Sequence, residues 1–188
     1  MNRIVFGGAL SAVLAFGFAS GANAQLVEKD GSVFHKAVCG RVVGLMARCH
    51  AHVVTDSKGN PIESAVPPIS GKTPSDLRDA YKIKATGSSG TIVALVDAFG
   101  YDTAEADLGV YRSQFNLPAC TTKNGCFEKL NQKGKQKNYP LFNLGWAQES
   151  ALDLDMASAA CPTCKLILVE ADDDQGNGLN LEIGRAHV

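Results

Sequence analysis

The sequence has almost no excess of charge of either sign: 18 Lys and Arg stand against 19 Asp and Glu, a formal charge of -1. Nothing electrostatic therefore favours a nucleic acid or an anionic membrane as partner. Outside the first 24 residues it has no apolar run long enough to span a bilayer. It has no histidine between His52 and His187, which leaves the middle of the chain without an imidazole base. With 45% apolar and 20% charged residues, it lacks the bias of a disordered or collagen-like chain, and one packed domain is expected.

What is present begins with a leader. Met1-Asn2-Arg3 supplies a positive start, Ile4 to Ser20 is almost wholly apolar, and Ala22-Asn23-Ala24 is a small-residue cleavage site. A signal peptide over residues 1–24 is expected, giving a secreted protein, extracellular or periplasmic, with no membrane attachment after cleavage. Export into an oxidising compartment favours disulfides among the six cysteines. They fall into three close pairs, Cys39/Cys49, Cys120/Cys126 and Cys161/Cys164, and pairing of neighbours is the simplest of the roughly fifteen connectivities. Cys161-Pro162-Thr163-Cys164 also has the spacing of a redox pair, but it follows a helical pattern and precedes a strand, where the helix dipole disfavours a thiolate. Cys39, Cys49, His50 and His52 have metal-ligand atoms without a strong zinc spacing, and no metal site is expected.

Residues 25–70 are weakly patterned and suit a short propeptide or N-terminal arm, with turns at Asp56 to Pro61 and Val66-Pro67-Pro68. Thr73-Pro74-Ser75-Asp76 should cap a short helix running to Tyr81. After a Gly87-Ser88-Ser89-Gly90 turn, Thr91 to Asp97 is a β-branched apolar run suited to a central parallel strand. Asp102-Thr103-Ala104-Glu105 resembles a capping box opening a helix through Ala104, Leu108, Tyr111 and Phe115, stopped by Asn116-Leu117-Pro118. Cys120 to Asn138, with Lys129, Lys133, Lys135 and Lys137, suits a long solvated loop. Trp146 to Ala160 has helical spacing through Leu152, Met156 and Ala159, and Lys165 to Glu170 is a second buried-type strand. Gly176-Asn177-Gly178 should open another helix. The alternation implies an α/β fold with a parallel sheet and flanking helices. Glu182 to Val188 back-translates to GAGATCGGAAGAGCACACGTC, an adapter-like string, so residues 182–188 are expected to be adapter-derived and the peptidase-like region to be cut short.

Glu149 and Asp153 are four apart and share one helix face. On spacing alone that is commonly a solvated face, yet coupled carboxyls can also form an acid-base pair. From Thr73 to Leu181 the chain resembles the sedolisins, serine-carboxyl peptidases of subtilisin-like fold. The resemblance rests on T-P-S-D-L-R-D-A-Y-K-I, T-I-V-A-L-V-D and, above all, E-S-A-L-D-L-D leading through M-A-S-A-A-C-P into K-L-I-L-V-E.

That resemblance implies a serine-type endopeptidase favouring acidic pH, with Glu149 as general base to a serine and Asp153 orienting it. It implies polypeptide substrates, a monomer, and calcium bound only by later sequence of a full-length protein; no cofactor is expected in this chain. The family's G-T-S nucleophile motif is absent, Ser88 and Ser89 suit a turn, and Ser150 and Ser158 lack the motif, so this chain should hydrolyse nothing. The leader also leaves only about 46 residues before residue 70, where sedolisins carry a large prodomain. Two alternatives stand beside this one. A subtilisin-type peptidase would use Asp97 as its acid, but the histidine expected after it is missing and Asp97 better suits a turn cap. A secreted, disulfide-bonded binding domain without catalysis is the other.

Overall fold

A computed structural model describes residues 26–42, 44–62, 71–84, 90–176 and 178–179. The expected signal peptide, the Ser88-Ser89 turn, the helix after Gly178 beyond Leu179, His187 and the adapter-like tail lie outside the described residues. No helix among the described residues is long and apolar enough to cross a membrane.

The described residues form three helices and two three-stranded sheets. The first is antiparallel and built from β1 (Glu28–Asp30), β2 (Val33–Ala37) and β3 (His52–Thr55). The second is parallel and contains β4 (Ile92–Ala98), β5 (Phe127–Asn131) and β6 (Lys165–Ala171), in the order β4-β6-β5. Three helices accompany them: α1 (Pro74–Ala80), α2 (Ala104–Gln114) and α3 (Leu144–Ala160). The chain is thus mixed α/β, with the parallel sheet that the alternating apolar segments imply.

Local chemistry accounts for several boundaries. Thr73 caps α1 in a reciprocal box, its hydroxyl accepting from the Asp76 amide while the Asp76 carboxyl accepts from the Thr73 amide, with Pro74 in the first turn. The box expected at Asp102 to Glu105 does not form. The Thr103 hydroxyl donates to the Asp107 carboxylate and Glu105 accepts from Thr122, so both side chains are engaged elsewhere. Asn143, unremarked in the sequence, caps α3 by accepting from the Trp146 amide.

The sheet differs from expectation in two ways. Among the described residues β4 pairs with β6 alone, and β6 takes the middle place. That position explains why Leu166 and Leu168 of β6 are fully buried while Ile92 of β4 is 56% exposed. β5 occupies part of the stretch expected to be solvated loop. F-E-K-L-N carries no β-branched residue, yet Phe127 anchors it in the core and its main chain completes the parallel ladder.

All three nearest-neighbour disulfides form: Cys39–Cys49, Cys120–Cys126 and Cys161–Cys164. Three disulfides suit an oxidising environment of the extracellular type. The first closes a strap between β2 and β3, which packs Cys49 against Trp146, Ala98 and Ala171. The third sits between the end of α3 and the start of β6, as its position in the sequence implies. The main core lies between the parallel sheet and the helix pair, with Leu108 of α2 and Leu154 of α3 against Phe127, Leu166 and Leu168.

Candidate functional site

Parallel strands present their C-terminal ends together, and in this sheet the two neighbouring ends carry acids. Asp97 of β4 and Glu170 of β6 are register partners. Period-two alternation puts them on the face that bears Val93, Leu95, Leu166 and Leu168. An apolar run that ends in a carboxylate is costly unless the acid has a partner or keeps its proton. The two strands resolve this differently.

Glu170 is fully buried and paired through one oxygen, while its Oε2 has no hydrogen-bond partner. Its Oε1 accepts from the Tyr101 amide at 2.8 Å and faces the Lys129 ammonium at 3.2 Å, and Lys129 also donates to the Tyr101 carbonyl at 3.0 Å. Burial raises its pKa, while the Tyr101 amide and Lys129 act the other way. Lys129 is therefore no loop lysine: β5 delivers it to a buried carboxylate.

Asp97 is 3% exposed, and its Oδ2 has no hydrogen-bond partner. It does not cap the turn that follows, since the Phe99 amide donates to Ala171 and the Gly100 amide to Leu141. Its pKa is pushed up to about 7, first by burial and then by the charge of Asp153, with Glu149 and Glu170 adding to the rise and a Ser150 hydrogen bond opposing it. Phe99, two residues on, has φ of 64°, a left-handed conformation unfavourable for an aromatic residue. The backbone is thus held in a strained turn two residues after the buried acid.

α3 supplies the other acids. Glu149 and Asp153 lie one turn apart and, with Asp97, make a group of three mutually repelling carboxyls. Burial is the main cause of the raised Asp153 pKa, and the Glu149 charge adds to it. Glu149 is anchored by the N-terminal strap: its Oε2 accepts from the His50 amide at 2.8 Å and also from the Ala51 amide. Gly145 permits this approach, because a Cβ there would lie 2.9 Å from Cys39 Sγ and 3.1 Å from the Val38 carbonyl oxygen. A cleft of about 250 Å³ opens beside this first turn of α3, lined by Val38, Arg41, Arg48, Gly145 and Trp146 among others.

Of the α3 positions whose apolar spacing implied burial, Ala159 is fully buried but Leu152 and Met156 are not. Leu152 and Met156 are 43% and 36% exposed, whereas Trp146, Ser150, Leu154 and Ser158 face inward. Ser150 donates to the Trp146 carbonyl at 2.9 Å, and Ser158 accepts from Arg112 at 2.9 Å, so both hydroxyls are enclosed and bonded within the fold. His35 and His52 lie against one another on the antiparallel sheet, and the His50 ring is exposed; Cys39 and Cys49 are joined to each other and do not share a metal with His50 and His52.

The sequence singles out Glu149 and Asp153, which lie with Asp97 here; Asp97 makes no turn-capping bond, and Glu170, Lys129 and Asp155 are not singled out in the sequence as site residues. The signal was an acid closing each of two apolar strands, V-D and V-E. Asp155 forms a second acidic contact between α3 and α2, its pKa raised to about 7 by burial and by Asp107. Asp107 in turn accepts from the Tyr101 hydroxyl at 2.7 Å. Chemically, Asp97 can hold and exchange a proton near neutrality, a property that solvated carboxyls lack. No family model, no curated protein and no solved structure matches the chain.

Proposed function

We propose that this chain carries the acid half of a secreted serine-carboxyl endopeptidase of sedolisin type and subtilisin-like fold. Glu149 is its general base and Asp153 its partner. The observation that carries this reading is the clustering of Glu149 and Asp153 with the buried Asp97, whose pKa lies at about 7. In the proposed mechanism Glu149 takes the hydroxyl proton of a serine as it attacks a peptide carbonyl. Asp153 holds the Glu149 carboxyl in position, and Asp97 retains the proton that keeps the group from carrying three full charges. Because Oε2 is engaged by the strap amides, Oε1 is the atom that faces the serine. Ser150 and Ser158 are enclosed and bonded within the fold, so neither is the attacking serine of this reading. Polypeptides are the substrates, and the protein acts as a monomer.

The anchoring of Glu149 by two backbone amides favours a second reading, a secreted binding domain in which this residue only fastens the strap. Acidic digestion of casein separates the two. The 188-residue chain should show no turnover, and a longer product of the same gene containing a downstream serine should digest casein. In that product Glu149→Gln should lower kcat at least 100-fold and Asp153→Asn at least 10-fold, losses in the range of general acid-base catalysis. Undiminished digestion by Glu149→Gln ends the peptidase reading.

A further inference from the structure

The N-terminal antiparallel sheet brings three metal-ligating side chains to one face. Glu28 is the register partner of His35 across β1 and β2, and Ala37 is the partner of His52 across β2 and β3. Side chains alternate along a strand, so His35 and Ala37 share a face, and His52 joins them as a diagonal neighbour of His35. Glu28, His35 and His52 each place one ligand atom within 4.8 Å of the other two. The two imidazoles meet edge to face, ring centroids 4.9 Å apart, with Nδ1 of His35 and Nδ1 of His52 separated by 2.9 Å.

We propose that Glu28, His35 and His52 form a binding site for a divalent transition-metal ion of the zinc class. Two imidazole nitrogens and one carboxylate oxygen are a donor set that zinc accepts, with bonds of about 2.0–2.2 Å and a fourth position left to water. Tetrahedral ligands at that distance lie about 3.3 Å apart. The two nitrogens, at 2.9 Å, need to part by a few tenths of an ångström, and the Glu28 carboxylate closes the remainder by a rotamer change. Glu28 and His52 are exposed and His35 is half-buried, so an ion and its water can reach the site. Strand pairing presets the positions of all three Cα atoms, which limits the ordering cost of binding. Nitrogen donors select zinc, copper or nickel over magnesium and calcium. The ion would tie β1 to β3 across β2, bracing an edge strand of only three residues. Its three ligands are distinct from the acids on α3, and the proposal does not rest on the proposed peptidase activity.

Isothermal titration of the tag-free full chain with zinc chloride tests the proposal, with magnesium chloride as the comparison. One zinc per chain is expected, with no measurable magnesium uptake. His35→Ala and His52→Ala should each weaken zinc binding at least 10-fold and Glu28→Gln by a smaller factor. His50→Ala, whose ring lies outside the cluster, should bind as the parent does. Zinc should also raise the parent's thermal midpoint and leave those of His35→Ala and His52→Ala unchanged, a readout taken beside circular dichroism of each variant so that an unfolded variant is recognised. Absence of zinc binding by the parent chain, or full-strength binding by folded His35→Ala and His52→Ala, overturns the proposal.

Discussion

Asp97 and Arg112 show what burial does to a charged residue of either sign. The folded Asp97 carboxyl keeps its proton up to about pH 7, while the unfolded chain gives it up near the ordinary 3.8. Across that window the unfolded state has shed a proton that the folded state still holds, so stability falls as pH rises from about 4 to about 7 and changes no further above. Asp155, at about 7, acts with the same sign. Asp97→Asn should therefore match the parent at pH 3.5 and exceed it by about 1–3 kcal/mol at pH 8, as measured by urea unfolding at both values; a pH-independent difference would contradict the assignment. Arg112 is 1% exposed and donates to the Pro118 carbonyl, the Ser158 hydroxyl and the Pro162 carbonyl. Burial lowers its pKa, and its planar fork joins α2 to the segment that follows it and to the C-terminal end of α3 through neutral oxygens. Arg112→Met should cost about 3 kcal/mol by orphaning those acceptors. Arg112→Lys should recover only part, because an ammonium cannot span the three.

At the scale of elements, α3 organises the molecule: it carries Glu149 and Asp153, covers the parallel sheet and receives the strap. Its helical period was legible in the sequence, but its buried face only in part. Leu152 and Met156 appealed to hydropathy, yet the sheet and α2 meet the face of Trp146, Ser150, Leu154 and Ser158, where small side chains allow close approach. β5 was illegible for a related reason: its pairing with β6 is set by a neighbour 39 residues along, as Phe127↔Leu166 shows, and not by its own propensity. The contact between strap and helix depends on Gly145. Gly145→Val should force the Cys39–Cys49 loop off the helix at a cost of about 1–3 kcal/mol, visible as a lower thermal midpoint together with faster hydrogen exchange at the His50 and Ala51 amides. Unchanged exchange at those amides would show that the strap is held by something else.

For the whole molecule, three short disulfides and two small sheets share the task of ordering a chain whose described part has a modest core. The Cys39–Cys49 bridge closes a ten-residue separation, for which chain entropy gives about 2–3 kcal/mol. Replacing both cysteines by serine should lower unfolding free energy by that amount and loosen the same two amides, linking the oxidising environment to the geometry around Glu149. The sequence by itself determined what is local: the Thr73 cap, two apolar strands, and the turn of helix that places Glu149 beside Asp153. Such features follow from steric and hydrogen-bonding preferences within a few residues. Only the tertiary structure decided the strand order, the burial of Asp97 next to Asp153, the capture of Glu149 by amides 98 and 99 residues away, and the meeting of His35 with His52. These arise when distant segments exclude water together, and a carboxyl's proton affinity or an imidazole's neighbour is fixed by that shared enclosure and not by the residues adjoining it in the chain.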